Sequence, residues 1–150
     1  MIVNKSNLIF SLVLFFLISD RTSFAQEVKT SVCELSKPGY AEKLNGKKVR
    51  LAAIYTTNKR EYSGFMDRRC KNIALSAHRS KDADNSVRLF FDGKEMRSCA
   101  YDGEIQFHVD ISGIFIKYDE SLDSGMFESH YGAIEVKKVR SFKPLKICWT

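Results

Sequence analysis

An all-β fold, a small closed barrel of five to six strands behind one short N-terminal helix, is predicted by three observations. Apolar residues recur at every second position in several segments after Lys47, the period of a half-buried strand. Those segments are short and separated by polar turns, as in barrels and sandwiches. Closure removes the exposed edges that an open sheet would leave, which favours the barrel. The chain of 150 residues is 44% hydrophobic and 28% charged, enough apolar surface for one compact domain and too much for a disordered or low-complexity chain.

The elements follow in chain order. Residues 1–25 have the layout of a secretory signal peptide: Lys5 near the start, an apolar run from Leu8 to Ile18, and Ser23-Phe24-Ala25 with small residues flanking a cut before Gln26. Asp20-Arg21 ends the run short of the roughly 20 residues a spanning helix needs. Export, to a periplasm or the outside, is therefore expected, with 26–150 as a single barrel domain and no membrane span after cleavage. No cysteine follows the cut, which argues against a lipid anchor.

Ser31 and Glu34 have capping-box spacing and open a short helix that Pro38-Gly39 interrupts. Tyr40 to Leu44 adds a turn before Asn45-Gly46 leads into the first strand, with Val49, Leu51, Ala53 and Tyr55 on one face. Asn58-Lys59-Arg60 reads as a hairpin tip, Glu61 to Asp67 as strand two, and Ile73, Leu75 and Ala77 as strand three. Val87, Leu89 and Phe91 alternate and suggest an extra short strand. Glu104 to Lys117 is the clearest segment, with Ile105, Phe107, Val109 and Ile111 inward and Gly113 marking a β-bulge. A last strand runs from about Gly132 to Arg140.

Charge is unevenly spread. Residues 26–81 hold 13 basic and 5 acidic residues, 82–136 hold 4 and 12, and 137–150 hold 5 and none. So acidic a middle does not suit a uniformly basic nucleic-acid binder, and mutual neutralisation between the segments is expected. Cys33, Cys70, Cys99 and Cys148 form an even set in an exported chain, which reads as two disulfides. Their wide spacing lacks the short ligand pairs of structural zinc, so no metal and no cofactor is expected.

The succession Ser31-Val32-Cys33-Glu34-Leu35, Tyr40, Asn45-Gly46-Lys47-Lys48-Val49-Arg50, Asp67 to Cys70 with Ile73-Ala74-Leu75, and His130-Tyr131-Gly132 running into Ile134 to Val139 resembles a group of small exported bacterial proteins with an OB-fold-like barrel and no settled activity. This chain departs from their pattern at Ala52-Ala53, where the first strand usually carries a glycine, and in the extra stretch Arg79 to Cys99. On OB hairpin geometry the end of strand two lies opposite the start of strand one, which pairs Cys33 with Cys70. The same logic pairs Cys99 with Cys148.

His108 and Asp110 share a strand face with Glu104 and Gln106, an arrangement read as solvated surface rather than as a catalytic or metal site. His78 and His130 are read as structural, and the disulfides remove any free thiolate for a Cys–His pair. No catalytic motif occurs, so the protein is not expected to be an enzyme. OB barrels commonly bind oligomers, and Lys59, Arg60, Tyr62, Phe65, Arg68 and Arg69 are the candidate ligand-facing set. Asp119, Glu120, Asp123 and Glu128 flank the expected binding face and would repel phosphates, so nucleic acid is not expected as a specific partner. The expectation is a small binding or interaction module for an unidentified protein or oligosaccharide. An OB-type binder of oligosaccharide or single-stranded nucleic acid, using the barrel face, is the alternative, and an enzyme of unrecognised type comes third.

Overall fold

The alternation after Lys47 becomes strand β2 (Lys48–Thr57), in which Val49, Leu51, Ala53 and Tyr55 are all buried. The computed structural model describes residues 26–58, 62–93, 103–122 and 130–147. Before β2 come β1 (Val28–Thr30), α1 (Val32–Leu35) and α2 (Tyr40–Leu44). After it come β3 (Ser63–Asp67), β4 (Cys70–Arg79), α3 (Asn85–Phe91), β5 (Ile105–Leu122) and β6 (His130–Ile147). Strand order is β1-β2-β3-β4-β6-β5, with β5 pairing back onto β2. The result is a closed five-stranded OB-like barrel with β1 as an added strand. Its pairings are antiparallel except for β4 with β6 and β1 with β2.

The added strand has a physical role. β3 pairs only with Ile54 to Thr57, because it is half the length of β2. β1 pairs with Val49 to Leu51 on the edge that β3 leaves open. Ala52 and Ala53 fall between the two. A strand of three residues is too short to show an alternation in the sequence.

Local signals account for the start of the chain. Ser31 caps α1, its Oγ accepting from the Glu34 backbone N–H at 3.3 Å, and its hydroxyl donates to Glu34 Oε2 at 3.2 Å. Gly39 takes a positive φ of 75° between the two helices, a conformation glycine adopts without penalty. Cys33 and Cys70 are joined, tying α1 to the first residue of β4. Closing a separation of 37 residues is worth roughly 4 kcal/mol in loop entropy as an upper figure. The expected Cys99–Cys148 bridge and the signal segment lie outside the described residues.

The extra strand expected over Val87, Leu89 and Phe91 is instead helix α3. Asp84 caps it by accepting from the Ser86 N–H at 2.9 Å. Val87 and Phe90, three residues apart, are the buried pair, while Leu89 is 60% exposed. Three alternating apolar residues over five positions fit either period; the cap and the tertiary contact decide. Phe90 sits against Tyr55, Phe107 and Phe142, with ring centroids 5.3, 5.4 and 5.1 Å away, and so fills one end of the barrel.

β5 carries the expected inward face, with Ile105, Phe107, Val109 and Ile111 all buried. The bulge beside Gly113 is present, but its extra residue is Lys137 of β6: Ser112 pairs with Lys138 and Gly113 with Val136. A Cβ at Gly113 would lie 2.5 Å from the Glu135 carbonyl oxygen and 2.7 Å from Ile134 Cγ2. Gly113 is thus needed for close approach of two backbones. Replacing it with alanine is expected to lower stability by about 1–3 kcal/mol, as overpacking does. The check is a lower urea midpoint with unchanged slope. Replacing Cys33 and Cys70 together with alanine is expected to cost about 2–5 kcal/mol, read from the same titration.

Candidate functional site

The gap between β1 and β3 is open at the surface. Ala52 and Ala53 of β2 lie at its floor because no strand covers that part of the edge and neither side chain extends past Cβ. Met66 and Asp67 come from the end of β3, and Arg68 and Arg69 from the turn that follows. His108 and Asp110 project beside them, because Ala52 registers with Asp110 and Ile54 with His108 across the β2–β5 ladder. Ser141, Phe142 and Lys143 of β6 close the far wall. The groove holds about 500 Å³, within the range of small-ligand sites.

A second depression of about 550 Å³ lies between β1, α1 and the same turn, and shares Ala52 and Arg69 with the first. Lys29, Lys37 and Glu34 line it, with Cys33 in its wall. The disulfide therefore holds α1 against the β3–β4 turn where the two depressions meet.

Two carboxylates in the walls are already engaged. Asp110 accepts from Arg50 Nε at 3.0 Å and Nη2 at 2.5 Å. Those bonds hold its carboxyl below the usual carboxylate range. Asp67 accepts from Arg69 Nε at 3.0 Å and Nη2 at 2.6 Å, and from the Arg69 backbone N–H at 3.0 Å. Its pKa is lowered by the same guanidinium. With Asp110 committed to Arg50, the His108–Asp110 face presents no free carboxylate beside the imidazole. Among the described residues, no cluster of three or more His, Cys, Asp or Glu could hold a metal ion.

The ligand-facing set expected from sequence is divided. Arg68 and Arg69 lie at the groove, whereas Tyr62 precedes β3 at the opposite end, about 20 Å away at strand rise. The Tyr62 N–H donates to Asn58 Oδ1 at 3.1 Å. Phe65 does not face a ligand. It is fully buried, paired with Tyr55 and Leu75, its ring 5.6 Å from that of Tyr55. Its place in the period-two register turns it inward, and that register was not visible before β3 was aligned. Lys59 and Arg60 lie outside the described residues, as do the side chains of the acidic segment from Asp119 to Glu128. His78 Nε2 lies 3.2 Å from the Tyr118 hydroxyl, away from the groove.

Sequence reading missed Lys29, Met66, Phe142 and Lys143. Lys29 belongs to the unanticipated β1. Phe142 and Lys143 belong to the part of β6 beyond Arg140, past the end of the expected last strand, and Pro144 follows them within β6. The proline is tolerated because the pairing of β4 with β6 ends at Val136, leaving that edge without a ladder partner to need its N–H. The one available signal for the groove was Ala52-Ala53, two small residues in the middle of a strand.

No protein-family model matches the chain, and no curated protein matches it. Among solved structures, one described as an aspartyl-tRNA synthetase from Leishmania major Friedlin aligns with 96% of this chain and 27% of its own, at 18% identity and a TM-score of 0.42. The chain thus spans about a quarter of that protein's length, and a likeness of this size carries no argument about function.

The Arg50–Asp110 pair has a pH signature. Because the folded pKa of Asp110 is lowered, its contribution is present above the ordinary aspartate range and is lost as pH falls through the folded value. Asp110→Asn is expected to be less stable than wild type at neutral pH. The gap should narrow as pH drops below about 4, checked by urea midpoints across that range.

Proposed function

We propose that the protein is exported and acts as a disulfide-stapled binding module whose ligand occupies the groove over Ala52 and Ala53. The observation that carries this reading is the groove itself: a concave surface with a floor of small side chains, apolar walls from Ile54, Met66 and Phe142, and polar groups converging from three strands and a turn. Phe142 remains 40% exposed there although its ring belongs to the aromatic cluster.

Export is supported by the signal-like residues 1–25 and by the Cys33–Cys70 disulfide, since such bonds persist in oxidising compartments. Among the described residues no helix is long and apolar enough to cross a membrane. The small exported OB-like bacterial proteins that the sequence resembles would be its nearest functional company.

Two measurements test this. The intact mass of protein from the native host is expected to begin at Gln26, and cytosolic protein retaining Met1 would end the export half. A photo-crosslinking amino acid placed at the exposed Ala52 is expected to trap a partner in the host. The same residue at Lys81, which follows β4 across the barrel, is expected to trap none. Equal trapping at both positions, or none at Ala52, would refute the groove as the binding surface.

A further inference from the structure

We propose that the groove takes an acidic peptide segment of a partner protein, one that carries apolar side chains between its carboxylates. This rests on the reading of the groove as the ligand site.

The charge balance of the walls points to an anion. The two confluent depressions are lined by Lys29, Lys37, Arg68, Arg69 and Lys143 against Glu34, Asp67 and Asp110. Two of those acids already hold a guanidinium. Asp110 is held by Arg50, Asp67 by Arg69, and Glu34 accepts from the hydroxyls of Thr30 at 3.3 Å and Ser31 at 3.2 Å. No carboxylate among the described residues pairs with Lys29, Lys37, Arg68 or Lys143. Elsewhere on the barrel Arg79, Lys117, Lys137 and Arg140 each have an acidic partner.

The floor selects among anions. A single-stranded nucleic acid needs a succession of flat exposed rings for base stacking, and among the described residues the rings lining either depression are the His108 imidazole and Phe142. The Phe142 ring is engaged by Phe90 and Phe107 at 5.1 and 6.0 Å. Ile54 and Met66 instead offer an aliphatic surface, which suits the apolar side chains of a peptide. Carboxylates along such a segment would reach Lys143 on the far wall, Arg68 at the turn, and Lys29 and Lys37 beyond it in the second depression. Electrostatic complementarity of this kind sets specificity and encounter rate more than raw affinity.

The test uses the isotope-labelled protein with its disulfide intact and a fluorescent peptide of about twelve residues alternating Glu with Leu. The peptide is expected to shift the amide signals of Ala52 and Ala53 and to bind more tightly than a Lys-Leu peptide of equal length. Arg68→Glu with Lys143→Glu, both at exposed positions, is expected to weaken binding at least tenfold, and Lys81→Glu to leave it unchanged. Unchanged affinity in the double variant would overturn the proposal, as would equal binding of the Lys-Leu peptide. Tighter binding of oligo-dT or of an oligogalacturonate, with the same two signals moving, would overturn the peptide as ligand and leave the groove as a binding site. If none of these probes moves Ala52 and Ala53, both the ligand class and the groove reading fail.

Discussion

Barrel closure through β5 is the constraint on which the other features depend. One strand of 18 residues pairs with all ten residues of β2 on one side and with β6 on the other. Neither ladder alone would close the barrel, and a strand this long in a closed barrel must bend. The bends are taken up at register shifts, including the one beside Gly113, where β6 contributes an extra residue and the backbones approach too closely for a side chain. The extra residue, Lys137, leaves its carbonyl free to accept from the Asp84 N–H at 2.9 Å, just before α3. Curvature in one ladder thereby helps to place the helix that fills the end of the barrel.

The groove follows from a mismatch of lengths around the same closed sheet. Because β5 covers one whole edge of β2, the other edge must be shared between β3 and β1, which together stop short of Ala52 and Ala53. The opening is prevented from collapsing or widening by two local devices. The Cys33–Cys70 bond fixes α1 to the β3–β4 turn, and Asp67 binds Arg69 to shape that turn. Function is read here from a site on the barrel rather than from the barrel, since one fold hosts many activities.

Charge organisation serves the fold and the site differently. Arg50–Asp110, Arg79–Asp92, Lys137–Asp82 and Lys138–Asp84 join the basic outer segments of the chain to its acidic middle. The contrast along the sequence is thus partly cancelled in space, as expected from segments that become neighbours. Asp82, beside the Lys137 ammonium and the Ser80 hydroxyl, has a pKa drawn down to about 2. Lys29, Lys37, Arg68 and Lys143 at the groove are among the cations this neutralisation does not reach.

The sequence by itself determined which segments alternate, and hence β2, β3, β4, β5 and about half of β6, together with the capped first helix and the Cys33–Cys70 pairing expected from OB hairpin geometry. These rest on local periodicity, capping chemistry and chain proximity, all of which are written along the chain. It did not determine β1, α3 or the inward turn of Phe65. A three-residue strand exists only because β2 offers an open edge, and a five-position apolar pattern acquires a period only when Phe90 finds Tyr55 and Phe107. The groove was beyond sequence altogether. Ala52, Arg68, His108 and Phe142 are scattered over 90 residues, and their convergence depends on cross-strand register and on where neighbouring strands end.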